Sequence, residues 1–167
     1  MPEKKLILNN EQIIQKINRI AYQIFEDNYQ EKELVIVGIV KKGYLFAEKI
    51  AQKLEEISPI KITLVKLTLN KEDIINSQAT LDTNEKEINS KVVILVDDVL
   101  NTGRTLIYGV KYLLDFNIRK MSTAVLVDRK HKKYPIGTHY VGLALSTTLQ
   151  NHISLAFTKK GMAAYLS

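Results

Sequence analysis

Two adjacent acids, Asp97 and Asp98, followed by Asn101, Thr102, Gly103, Arg104 and Thr105, are the residues in this chain whose types and spacing most clearly point to chemistry. An apolar run at 92–96 precedes them, with the length and β-branched character of a strand buried on both faces. A helical pattern (Leu106, Val110, Leu113, Leu114) follows them. A strand ending in acids, then a polar turn, then a helix N-terminus makes an anion site. Its unpaired N–H groups and the positive end of the helix dipole face one point in space. The plainer alternative is an ordinary βα turn with Thr102 or Thr105 as N-cap and the acids solvated.

Other chemistries lack their residues. The glycine and Lys-Ser/Thr pattern of a nucleoside-triphosphate loop is absent, and so is the three-glycine dinucleotide fingerprint. His131, His139 and His152 lie in the last third, away from any nucleophile elbow, and read as surface or half-buried side chains. Asp97 and Asp98 have no histidine at ligand spacing, so no fixed metal cage is expected. Adjacent carboxylates suit hydroxyl recognition, or a Mg²⁺ that arrives with a phosphorylated ligand and keeps its waters. The site calls for a ligand with a monophosphate, neighbouring hydroxyls and further negative charge towards Lys41-Lys42. A ribose 5-phosphate carrying pyrophosphate meets all three.

The elements that must position these residues alternate along the chain. Asn9 or Asn10 caps a first helix whose apolar face (Ile13, Ile17, Ile20, Ala21, Ile24, Phe25) runs to about residue 27. A buried strand at 34–40 leads into Lys41-Lys42-Gly43, and a second amphipathic helix ends near Ser58-Pro59. A strand through Ile60 to Leu69 is followed by a polar stretch at 70–90, which reads as a mobile functional loop or a hairpin. Strands at 121–127, 140–145 and 153–157 close the pattern, and the last ten residues carry no clear assignment. The order predicts an α/β fold: one domain over 1–167, with a mostly parallel sheet covered by helices on both faces. Ligands of such sheets bind beyond the carboxyl ends of the strands. Three strands end in polar groups: at Lys41-Lys42-Gly43, at Asp97-Asp98 and at Asp128-Arg129.

Composition bounds the rest. With no cysteine, disulfides and thiolate metal sites are excluded, and a reducing cytoplasm is compatible. No secretory signal and no membrane-crossing run is expected, so the chain reads as cytoplasmic. The net charge of +6 comes mainly from scattered lysines, which serve either as a solvated surface or as an attraction for a phosphorylated substrate or RNA.

The stretch Val93-Ile-Leu-Val-Asp-Asp-Val-Leu-Asn-Thr-Gly-Arg-Thr105 resembles the phosphoribosyl-pyrophosphate signature of type I phosphoribosyltransferases. Segments 19–26, 37–43, 68–73 and 124–131, with Pro135 and Ile136, resemble the pyrimidine-operon attenuation regulators and uracil phosphoribosyltransferases within that family. The resemblance implies that Asp97 and Asp98 bind the ribose hydroxyls. Thr102, Gly103, Arg104 and Thr105 would wrap the 5-phosphate, Asn101 would belong to the same phosphoribosyl-pyrophosphate-binding set, and Lys41, Lys42 and Gly43 would hold the pyrophosphate. Residues 70–88 would close over the reacting centre, with Lys71 beside Asp97 and Asp98 in catalysis. Residues 135–146 would form the hood, and Asp128, Arg129, Val141 and Leu143 the base pocket. It further implies Mg²⁺ as cofactor, phosphoribosyl pyrophosphate and a nucleobase (uracil first) or nucleotide as partners, RNA as a further partner, and dimers or larger assemblies. The chain departs from the family at four places: Lys71 stands for an arginine, Val40 for a polar residue, and Leu143 for a lysine. Asn101 replaces both the tyrosine of the attenuators and the aspartate of the purine-salvage members, and that loss argues against a purine-type enzyme.

Overall fold

The computed structural model describes residues 3–148 and 151–167. Its centre is a six-stranded sheet in the order β4-β3-β2-β5-β6-β7. The strands are β2 (Glu33–Ile39), β3 (Lys61–Thr68), β4 (Thr80–Leu81), β5 (Val92–Leu100), β6 (Lys120–Asp128) and β7 (Tyr140–Ala144). All neighbours pair in parallel except β3 and β4. The helices are α1 (Asn10–Asp27), α2 (Lys42–Ile57) and α3 (Arg104–Leu113).

The continuous apolar runs of the strands follow from burial on both faces. Alternate residues serve two cores. Leu34, Ile36, Val92, Ile94 and Val96 pack with α1 and α2, whereas Val35, Val37, Val93 and Leu95 pack with Leu106 and Leu113 of α3. Asn9 caps α1 through a reciprocal pair: its side chain accepts from Gln12 N–H, and its own N–H donates to the Gln12 side chain, each at 2.9 Å.

Two readings of the sequence change. β5 does not stop at Val96: it pairs with β6 through Leu100↔Asp128, although its pairing with β2 ends at Gly38↔Val96. Asp97 and Asp98 therefore belong to the strand, at the point where one of its two neighbours falls away. The second change concerns residues 135–146. Tyr140 to Ala144 form β7, the outer strand of the main sheet, not a hood. A separate antiparallel sheet, β1-β9-β8, is built from β1 (Lys5–Leu8), β8 (Ile153–Thr158) and β9 (Gly161–Leu166). It depends on pairing between the two ends of the chain, which local periodicity does not record.

The polar stretch after β3 turns back as a hairpin, with Leu67↔Leu81 and Thr68↔Thr80 paired. At the other edge, α1 holds β7. Arg19 donates to the carbonyls of Val141 at 3.1 Å and Gly142 at 2.6 Å, and the Tyr140 hydroxyl donates to Asp27 Oδ2 at 2.7 Å. Burial, with the Asp27 carboxylate next in effect, holds the Tyr140 phenol well above its ordinary range, so it remains a donor. Tyr140→Phe is expected to lower the unfolding free energy by about 1 kcal/mol in urea denaturation, with the secondary structure unchanged. An unaltered midpoint would show that this contact adds nothing to the edge.

Candidate active site

The parallel order places the ends of β2, β5 and β6 side by side, and a cleft opens there. Its lining includes Lys42, Lys71, Asp97, Asp98 and the whole turn from Asn101 to Thr105. The site is thus one contiguous stretch of β5–α3 met by two lysines from elsewhere.

The turn is shaped by Gly103. Its φ of +88° lies in the left-handed region, and a Cβ there would come within 2.4 Å of Ile136 Cγ2. Gly103 occupies the N-cap position of α3, so no side chain covers the helix end in the usual way. The first intrahelical bond is Ile107 N–H to Gly103 O at 2.9 Å, leaving the N–H groups of Thr105 and Leu106 ahead of it. Thr102 Oγ1 reaches Arg104 N–H only at 3.3 Å. Among the described residues, Arg104 Nε is buried with no hydrogen-bond partner. The unpaired N–H groups at the start of α3 are the kind of donors an anion takes. The following loop braces the turn: Lys133 and Tyr134 N–H both donate to Thr102 O, at 2.8 and 3.2 Å.

Asp97 is 4% exposed, and its Oδ1 accepts from the Asp98 N–H at 2.9 Å. Burial, then the neighbouring Asp98 charge, pushes its carboxyl well above the ordinary range; the Lys71 ammonium pulls it back. Asp98 is only half-buried. Gly43 sits directly behind this pair. A Cβ there would lie 2.7 Å from Asp97 Oδ1 and 3.2 Å from Val96 O, so only glycine lets the start of α2 approach β5 this closely. Gly43 is buried; Lys42 faces the cleft, while Lys41 lies outside its lining.

Residues 4–155 match the model of the phosphoribosyl transferase domain. The chain belongs to that family. It is 37% identical to the Bifunctional protein PyrR of Clostridium acetobutylicum over 159 residues, 91% of this chain and 89% of that protein. It is 39% identical to the protein of the same name from Latilactobacillus sakei over 147 residues, covering 83% and 82%. In fold it resembles a hypoxanthine-guanine phosphoribosyltransferase from Bacillus anthracis, with a TM-score of 0.77, 18% identity and coverage of 98% and 97%. The hypoxanthine phosphoribosyltransferase of Trypanosoma cruzi gives a TM-score of 0.75 at 20% identity, covering 86% and 82%.

Within this phosphoribosyltransferase, the four residues expected to form a base pocket are not brought into the cleft lining. Val141 and Leu143 sit half-buried in β7, packed against the two cores. Asp128 accepts from Lys130 N–H at 2.9 Å and lies 3.9 and 4.0 Å from the ammonium groups of Lys130 and Lys132. Arg129 is buried behind the turn and donates to Asn101 Oδ1 at 2.8 Å. The cleft takes instead His152, Ile153 and Ser154, where β8 begins. The sequence reading of His152 as a surface or half-buried side chain agrees with its exposure, but did not place it at the cleft. Nothing local marks it, because the small sheet carries it to the cleft: His152 pairs with Ser167 through bonds of 2.7 and 2.8 Å.

Two outcomes follow from the packing around Asp97. The folded chain binds the Asp97 proton more tightly than the unfolded chain does. The stability this adds is complete below the ordinary carboxylate range and is lost as pH rises through the raised folded value. Asp97→Asn, which keeps an acceptor for the Asp98 N–H, is expected to raise the melting temperature at about pH 9 and to change it little at about pH 4. An equal or opposite effect at the two pH values would contradict the burial argument. Gly43→Ala is expected to leave the secondary structure intact while displacing Asp97 and the start of α2. Turnover should fall by at least about tenfold, in line with the cost of a misplacement near 1 Å; full activity would mean that α2 yields without disturbing the site.

Proposed function

We propose that the chain transfers the phosphoribosyl group of phosphoribosyl pyrophosphate to a nucleobase, uracil first, and releases pyrophosphate. The observation that carries this is the meeting, in one cleft, of the Asp97-Asp98 pair, the open N-terminus of α3, and Lys42 and Lys71. The turn at 102–105 takes the 5-phosphate through its backbone N–H groups, with Arg104 adding charge. Asp97 and Asp98 accept from the ribose hydroxyls. Lys42, at the N-terminus of α2, receives the pyrophosphate together with the backbone of Lys41 and Gly43.

The bond from the anomeric carbon to pyrophosphate breaks as the bond to the ring nitrogen of the base forms, through an oxocarbenium-like transition state, and the proton of that ring nitrogen passes to water or to the departing pyrophosphate. The chain contributes by orienting the two partners, shielding the cation from water and neutralising the leaving group with lysine. Lys71 lies on the hairpin side of the cleft, where closure of residues 70–88 would bring it over the reacting centre. No group of three or more His, Cys, Asp or Glu side chains among the described residues forms a metal cage. The Asp97-Asp98 pair suits a Mg²⁺ bound mainly by the substrate's own oxygens, and such an ion would supply charge neutralisation for the departing pyrophosphate.

A second reading, an RNA-binding regulator, is favoured by the abundance of lysine, by the run Lys130-His-Lys-Lys133 and by the PyrR relatives' description as bifunctional. It predicts binding to a structured RNA that weakens steeply with salt. Residence in the cytoplasm and assembly into dimers or larger belong to the same proposal; among the described residues no helix is long and apolar enough to cross a membrane.

Uracil-dependent release of pyrophosphate from phosphoribosyl pyrophosphate, measured with and without Mg²⁺, tests the transferase reading. Asp97→Asn combined with Asp98→Asn is expected to lower kcat/KM on the order of a hundredfold or more, because hydrogen bonds to charged groups contribute about 1.5–3 kcal/mol each. Absence of release with every common base would sink it.

A further inference from the structure

Asn101 lines the cleft, yet the steps above give its side chain no task. Its Oδ1 lies 2.8 Å from Arg129 Nη1. A guanidinium offers donors only, so the amide atom facing it must be the acceptor. The amide is thereby oriented by chemistry: Oδ1 is committed to Arg129, and Nδ2, without a partner among the described residues, is the atom left for a ligand.

Arg129 has little freedom to release it. The residue is 8% exposed. Its Nε donates to Thr147 Oγ1 at 3.1 Å, and its Nη2 faces the carbonyls of Thr148, at 3.4 Å, and Asn151. All four partners are neutral, so a full positive charge is held by oriented dipoles, in a rigid fork that lysine could not reproduce. The strap it grips leads directly into His152 to Ser154, which line the same cleft. Through Arg129, Asn101 is therefore tied to Thr147, Thr148 and Asn151.

We infer that Arg129 is a positioning residue that holds Asn101 as a hydrogen-bond donor to the base, so that the site favours a base presenting a carbonyl oxygen, as a pyrimidine does. This rests on the phosphoribosyl-transfer reading above. In that reading the turn serves the phosphate, the acids serve the hydroxyls and the lysines serve the pyrophosphate, which leaves the base as the part of the ligand whose acceptors still lack a partner. An aspartate at position 101 could keep the Arg129 contact but would present an acceptor in place of the donor.

The test is equilibrium binding of ribose 5-phosphate and of uridine 5′-monophosphate by calorimetry, in the wild-type chain and in Asn101→Asp. The wild type is expected to bind the nucleotide more tightly than the sugar phosphate. In Asn101→Asp that ratio should fall by about fivefold or more, while the Kd of ribose 5-phosphate moves by less than about threefold. Arg129→Lys, which keeps the charge and loses the fork, should lower the same ratio part of the way with ribose 5-phosphate binding retained; a purely structural role would weaken both ligands together. An unchanged ratio in Asn101→Asp, or equal weakening of both ligands, overturns the inference. Failure of the wild type to bind ribose 5-phosphate at all would instead overturn the phosphoribosyl reading beneath it.

Discussion

A carboxyl group buried at the end of a strand is costly unless the fold brings something to it, and much of this structure is arranged around Asp97. The strand carrying it loses its β2 neighbour after Val96, and the gap admits the start of α2 at Gly43. Burial and the Asp98 charge raise the Asp97 carboxyl, opposed by Lys71 and by the Asp98 backbone N–H. A side chain set in such an environment is poised to gain when hydroxyl donors arrive. Stability given up at a buried ionisable group is a common trade at functional sites.

The other half of the site depends on backbone rather than side chains. Gly103 in the left-handed region opens the N-terminus of α3, and the loop after β6 braces it through Thr102 O and Ile136. The two halves follow one another in sequence, so β5 and α3 need only their local geometry to present acids and anion donors together. The parallel sheet then adds Lys42 from the neighbouring βα turn, and the antiparallel hairpin adds Lys71.

Much of this was legible beforehand. The apolar runs of β2, β5 and β6 follow from burial on both faces, and the α1 cap follows from Asn9 and Gln12. The end of β5 was placed too early. Acids in a strand break the apolar pattern, although β6 continues to pair with their backbone. The strand expected at 140–145 is present as β7, whereas the hood at 135–146 was implied by the family resemblance alone. The place of β7 in the main sheet comes from Arg19, Tyr140 and the ladder with β6, all long-range contacts.

By itself the sequence determined the anion cradle and its two acids, because a strand, a glycine turn and a helix N-terminus make such a site from contiguous residues. Only the tertiary structure decided what faces it. His152 to Ser154 reach the cleft through pairing of the chain's two ends, and Arg129 fixes the Asn101 amide across 28 residues. Hydrogen-bond direction and strand pairing between distant segments leave no periodic trace in sequence. That side of the cleft was therefore set by the fold.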